Sequence, residues 1–284
     1  MEGATVRLRQ VAQLADPGGE PPGEDLTWSG ADLAFVMDGA TGLGPALVDG
    51  ATSDARWFVD AVAEHLRDRW SRTRQAVTAV RAALVDTVAD WPGPRDLPAH
   101  RLPSAGLALV ALEGDEVVFV RVGDCEAFVT TPGGVRPVFA HSALHELDER
   151  ALRALVDHRA SGAARGEALA SVRPLLVAHR ELLNTPQGYP ALSVTRVDGM
   201  VPQVRRFPAQ VVGRVLLATD GFTCAWRSYG LPGPADWLDR APTAAAETLA
   251  GLRAAEHDDL DGERFARFKP HDDATALVVD LAQV

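Results

Sequence analysis

Four aspartate positions in this chain sit where an apolar run begins or ends: Asp38 after Phe35, Val36 and Met37, Asp124 after Arg121, Val122 and Gly123, Asp220 after Leu217, Ala218 and Thr219, and Asp272, followed by Asp273, before Ala274. Each carboxylate is expected at a strand end. In a sandwich the strand ends gather at one edge, so carboxylates far apart in sequence can converge there. Grouped carboxylates repel one another and do not all stay ionised unless a cation lies among them. A site of oxygen ligands suits Mg²⁺ or Mn²⁺. Two such ions about 3.5–4 Å apart clamp the attacking and leaving oxygens of a phosphate ester undergoing hydrolysis. Taken singly, each Asp-Gly or Gly-Asp dipeptide reads as a turn; their order, and the apolar run attached to each, argue for chemistry.

The elements that must position these residues follow from periodicity. Residues 33–37 read as a buried strand that delivers Asp38 into a turn, preceded by a loop rich in Gly, Pro and acid over 16–25. Phe58, Val62, Leu66 and Trp70 recur at helical spacing, as do Val77, Val80, Leu84 and Val88 before Trp91, Pro92 and Gly93 stop the second helix. Runs at 105–112, 117–122 and 127–131 form an antiparallel meander. Residues 142–184 return to helical composition and read as an inserted flap, 191–197 and 211–218 as strands, the stretch through Leu252 as helical, and 274–281 as a closing strand. Strands in hairpins with helices in separate blocks favour an α+β sandwich over a doubly wound parallel sheet. There is no internal repeat, and one domain over 1–284 is the simplest organisation.

Taken together, the segments GED, FVMDGATG, VRVGDCEAF, LLATDGF and HDDATALVV resemble, in order and over residues 24–282, the signature elements of the PP2C-like, metal-dependent protein Ser/Thr phosphatases. The resemblance implies a four-layer α-β-β-α sandwich of two mainly antiparallel sheets, with two divalent cations, Mn²⁺ or Mg²⁺, in a cleft at the sheet edges. On the matching positions, Asp38 would bridge both ions, the Gly39 carbonyl would bind one, and Asp220 and Asp272 would ligate the second. Asp124 would serve a third ion. Asp25 would orient the bridging hydroxide and Glu24 would hold a metal-bound water. Asp273 and His271 would stand beside these ligands, His271 close enough to touch substrate or a bound water. The implied reaction is hydrolysis of phosphoserine or phosphothreonine in proteins by that hydroxide, with no covalent enzyme intermediate. A phosphorylated protein is the implied partner, and a Ser/Thr kinase the opposing enzyme.

The chain departs from the family pattern at several points. The histidine that follows the first Asp-Gly in most members, and protonates the leaving group, is replaced by Ala40. No arginine lies in Gly18–Gly23, where many relatives place a phosphate ligand, and Cys224 stands where a partner of the third ion is expected. Gly-Asp-Ser has become Gly123, Asp124, Cys125; both cysteines read as small buried hydrophobes. A pseudophosphatase that keeps the sandwich and acts as a binding or regulatory module is therefore the rival reading. The joint presence of Asp38, Asp220 and Asp272 favours the enzyme. A haloacid dehalogenase-like phosphatase would need a second aspartate at the Ala40 position.

Bulk properties exclude other classes. With 39 acidic against 28 basic residues the formal charge is -11, which repels nucleic acid and anionic lipid. No apolar run approaches the ~20 residues that cross a bilayer and the amino terminus lacks a secretory signal, so a cytoplasmic location is expected. Two cysteines cannot form a disulfide framework, nor do they stand in a CxxC pair. His141, His145 and His158 in the flap read as surface or half-buried polar residues, and the tryptophans as packing groups.

Overall fold

A strand buried on both faces is apolar at every position rather than at every second one, and the site-bearing strands of this protein are of that kind. The computed structural model describes residues 6–19 and 22–283, leaving Glu20 and Pro21 of the acidic loop outside the described residues. Its strands are β1 (Val6–Asp16), β2 (Leu26–Ser29), β3 (Leu33–Ala40), β4 (Ser104–Glu113), β5 (Glu116–Val122), β6 (Glu126–Thr131), β7 (Gly134–Pro137), β8 (Leu192–Ser193), β9 (Gln203–Pro208), β10 (Arg214–Ala218) and β11 (Ala274–Gln283). One sheet runs β1-β11-β10-β6-β7 and the other β2-β3-β4-β5-β9, with β8 beside β4, and the paired strands are antiparallel.

Between the sheets lies one core, built by Ala34, Val36, Ala108, Val110 and Phe119 from one side and Ala127, Val215, Leu217, Leu277 and Val279 from the other. The alternate residues of the same strands point outward: Leu33, Phe35 and Met37 pack on α1 (Asp54–Thr73) and α2 (Ala76–Asp90). Leu216, Ala218 and Ala276 pack against Phe222, Trp237 and Leu252 of α5 (Asp220–Arg227), α6 (Pro234–Arg240) and α7 (Thr243–His257). The result is the α-β-β-α order of layers. A fifth block, α3 (Ala143–Ala160) and α4 (Arg165–Glu181), stands outside the layers with its own small clusters around Leu147 and Leu155. Ser142 caps α3, its hydroxyl accepting from His145 N at 3.3 Å.

Five local features differ from expectation. β1 is an unanticipated strand: it buries only Leu8 and Ala12 deeply and directs arginines to solvent, so its apolar signal is thin. β9 is likewise an edge strand of mostly exposed residues. The strand expected over 191–197 shrinks to the two residues of β8, and the helical stretch after Asp220 is three helices, interrupted near Gly230–Gly233 and at Pro242. Asp38 and Gly39 do not turn; they continue β3, opposite Gly106 and Ala105. Among the described residues no helix is long and apolar enough to cross a membrane.

Candidate metal centre

Strand parity aims Asp38. Ala34 and Val36 face the other sheet, and Asp38 is the next residue of that row, at the end where the inter-sheet core stops. Across the ladder sits Gly106, where an added Cβ would lie 3.0 Å from Cys125 Sγ and 3.1 Å from Asp124 Oδ1. The missing side chain lets Asp124 come up beneath Asp38. Asp124 itself follows Gly123, whose φ of +77° is the left-handed conformation that glycine adopts without strain. On the other sheet Asp220 opens α5 directly after β10, and Asp272 stands just before β11, its neighbour in the sheet. A carboxylate oxygen of Asp38, one of Asp124 and the Cys125 sulfur all lie within 4.8 Å of one another.

The electrostatics of this cluster point to a cation. Burial, reinforced by Asp220, Asp25 and Asp124, pushes the Asp38 carboxyl well above the ordinary range. Asp25 and Asp124 are pushed up for the same reasons, burial first and neighbouring carboxylates second. Asp272 is raised mainly by burial, against the opposing pull of Lys269, whose Nζ lies 2.8 Å from its Oδ1. The Cys125 thiol is driven up by burial and by the surrounding carboxylates, which keeps it neutral. Several acid groups that cannot all ionise together, with oxygen donors and neutral thiols around them, are the donor set that a divalent cation such as Mg²⁺ or Mn²⁺ fits.

The remaining expected residues form the supports. Asp25 Oδ2 accepts from Thr219 Oγ1 at 2.8 Å. Glu24 accepts from the hydroxyl of Thr41, two residues past Gly39. Asp273 does not face the cluster: its carboxylate accepts from the main-chain N–H of Gly18 at 3.0 Å, of Glu24, and of Asp25 at 3.3 Å, and so ties the acidic loop to β11. Arg56 of α1 grips the same loop through the carbonyls of Gly23 and Asp25 at 3.3 and 3.1 Å, and Arg253 of α7 donates to Asp272 O at 2.8 Å. His271 turns to Glu256, 2.8 Å away, and does not line the cavity over the carboxylates. Cys224 lines it and donates to Gly221 O at 3.0 Å.

That cavity, of ≈ 340 Å³, is walled by Asp38, Asp124, Asp220 and Asp272, and on its far side by residues that local sequence patterns did not single out: Asp148 of α3, Arg180 of α4, Tyr189 and Lys269. Asp148 is pushed up to about 7 by burial and by Asp220, with Arg180 opposing. Nothing local marks Asp148, Arg180 or Tyr189, because they reach the carboxylates only through the docking of the α3–α4 block and the segment that follows it, whereas Lys269 stands three residues before its partner Asp272. Lys269, as the single lysine of the chain, was the one compositional signal available.

The family model for protein phosphatase 2C matches residues 25–256. Among solved structures, the serine/threonine phosphatase PstP/Ppp of Mycobacterium tuberculosis aligns with a TM-score of 0.59 at 17% identity, over 98% of this chain and 100% of that one. The catalytic domain of PstP in complex with two manganese ions aligns with a TM-score of 0.53 at 18% identity, over 98% and 100%. PppA of Pseudomonas aeruginosa, a regulatory component of the type VI secretion system, aligns with a TM-score of 0.56 at 17% identity, over 98% and 100%. No curated protein matches the chain.

Proposed function

Because the chain belongs to the protein phosphatase 2C family, we propose that it hydrolyses phosphoserine and phosphothreonine in proteins, using two Mn²⁺ or Mg²⁺ ions held by Asp38, the Gly39 carbonyl, Asp220 and Asp272, with Asp124 available to a third. The observation that carries this reading is the convergence of Asp38, Asp124, Asp220 and Asp272 on one cavity, where burial and neighbouring carboxylates push Asp38 and Asp124 up and Lys269 is, among the described residues, the one cation paired with the set. When bound, such ions acidify water from a pKa of 15.7 toward about 7 and offset charge on the phosphoryl group. The protein's part is positional. Thr219 holds the Asp25 carboxylate toward the cluster as an acceptor for a water proton, and Thr41 fixes Glu24 beside Gly39. Asp273 and Arg56 keep that acidic loop seated. Cys125 and Cys224 stay protonated and add no charge. Ala40 brings no proton donor to the leaving oxygen, a loss that costs between about 10² and 10⁴ in rate. A Ser/Thr kinase acting on the same proteins is the natural opposing enzyme.

The test is turnover of p-nitrophenyl phosphate and of a phosphothreonine peptide with Mn²⁺, with Mg²⁺ and with excess chelator, wild type against Asp38→Asn. Metal-dependent turnover lost in the variant supports the enzyme. Bound metal without turnover would instead make the protein a phosphatase-fold binding module.

A further inference from the structure

The cavity over the carboxylates is the place a phosphate dianion must enter, yet its floor is negative, and no arginine stands in the loop before Glu24. Cationic side chains on its wall are Arg180, Arg267 and Lys269. Arg267 is committed to Asp259 at 3.1 Å and to the carbonyls of Glu256, Phe265 and Pro270 at 3.1, 3.0 and 2.9 Å. Lys269 is paired with Asp272. Arg180 is different: among the described residues its one hydrogen-bond contact is a long one, Nη1 to Ala40 O at 3.5 Å, which leaves most of its five donors free, with Asp148 the nearby carboxylate that feels its charge. That contact also locates it, since Ala40 follows the Asp38-Gly39 pair. Beside it Tyr189, whose ring packs with Leu147 and Leu183, lines the same cavity, and its hydroxyl makes no hydrogen bond to the described residues. A hydroxyl on a cavity wall that the protein leaves unpaired can donate to a ligand oxygen.

We infer that Arg180 and the Tyr189 hydroxyl form the phosphate-binding clamp of this protein, carried on the α3–α4 block and its exit segment rather than on the loop before the acidic pair. The inference rests on the phosphatase reading for its ligand. A guanidinium presents paired N–H groups that match two phosphate oxygens, and the tyrosine adds a third, neutral donor. Both groups are anchored at the end of the helical block: Leu183, just past α4, packs with Tyr189, and Asn184 N donates to Tyr189 O at 2.8 Å. The block meets the segment at His100 through Glu181 and reaches β3 through the Arg180–Ala40 contact, so a displaced block would carry both groups away and leave the carboxylates in place.

The experiment is calorimetric titration of inorganic phosphate into the Mn²⁺-loaded protein, together with competitive inhibition by phosphate of p-nitrophenyl phosphate turnover. Wild type is compared with Arg180→Ala, Arg180→Lys, Tyr189→Phe and, as a control on exposed α3, Arg153→Ala. Arg180→Ala should weaken phosphate binding by about tenfold or more, as expected for a charged hydrogen bond, with KM rising in step and Mn²⁺ affinity within about twofold of wild type. Arg180→Lys should recover part of the loss, and Tyr189→Phe should lose a few-fold. Phosphate affinity unchanged within about twofold in Arg180→Ala and Tyr189→Phe overturns the clamp, as does a wild type that binds Mn²⁺ but not phosphate. A wild type without turnover whose phosphate affinity still falls in Arg180→Ala would sink the proposed hydrolysis and leave the clamp standing. Turnover with phosphate affinity indifferent to both variants would do the reverse.

Discussion

Replacing Asp38 by asparagine should make the metal-free protein more stable and the metal-loaded protein less so. Asp38 and Asp124 place carboxylate oxygens within 4.8 Å. Two full charges at that separation and an effective dielectric constant of about 20 repel by about 3 kcal/mol. Partial protonation relieves some of this, so asparagine should gain roughly 1–3 kcal/mol at pH 8, or roughly 2–10 °C in Tm. The pH dependence follows from the direction of the shift. The native Asp38 carboxyl lies well above the ordinary carboxylate range, so its penalty is fully present above the native pKa and vanishes below the unfolded one. The advantage of asparagine should therefore be greatest at alkaline pH and disappear near pH 4. Adding Mn²⁺ at a hundred times its Kd stabilises wild type by about 2.7 kcal/mol, a gain that the variant should largely lack, which inverts the order. Scanning calorimetry of both proteins in chelator and in Mn²⁺, at several pH values, reads all of this. If asparagine lowers Tm in chelator at pH 8, or if both proteins gain equally from Mn²⁺, the carboxylate cluster is not the cation site described.

Loading Mn²⁺ near pH 6.5 should release protons, because burial and Asp220 hold Asp148 at about 7 while Asp38 lies well above the ordinary range, and the ion displaces those protons. Titration in buffers of different ionisation enthalpy measures the number released, which should fall toward pH 9. Thr219→Val removes the hydroxyl that holds Asp25 Oδ2 at 2.8 Å; kcat should fall by about tenfold, with Mn²⁺ affinity little changed and stability lower by about 1 kcal/mol. Phe222→Ala, at the fully buried junction of α5 with Trp237 and β10, should cost about 3–5 kcal/mol in chemical denaturation. Because α5 also carries Asp220, Mn²⁺ affinity in that variant should fall too.

The parts of the fold that were legible are those whose burial is two-sided. β3, β4, β5, β10 and β11 appear as unbroken apolar runs because one face meets a helical layer and the other meets the opposite sheet. β1 and β9 lie at sheet edges, with arginines at Arg7, Arg9, Arg205 and Arg206 facing out, and an edge strand protected by charge lacks the pattern that a run of hydrophobes provides. The same distinction governs the site. Asp38, Asp124, Asp220 and Asp272 each announced themselves beside an apolar run, since a carboxylate at the end of a buried strand is a local anomaly.

The role of Asp273 as the staple of the Gly18–Asp25 loop, the turning of His271 toward Glu256, and the arrival of Asp148, Arg180 and Tyr189 over the carboxylates depend on contacts between segments far apart in the chain. Such contacts leave no periodicity and no dipeptide signature. The amino-acid sequence by itself determined which carboxylates this protein brings to one cavity, because strand parity and burial act within a few residues. Only the tertiary structure decided which cations and hydroxyls face them, because that depends on how a helical block with its own small core docks on the end of a sandwich.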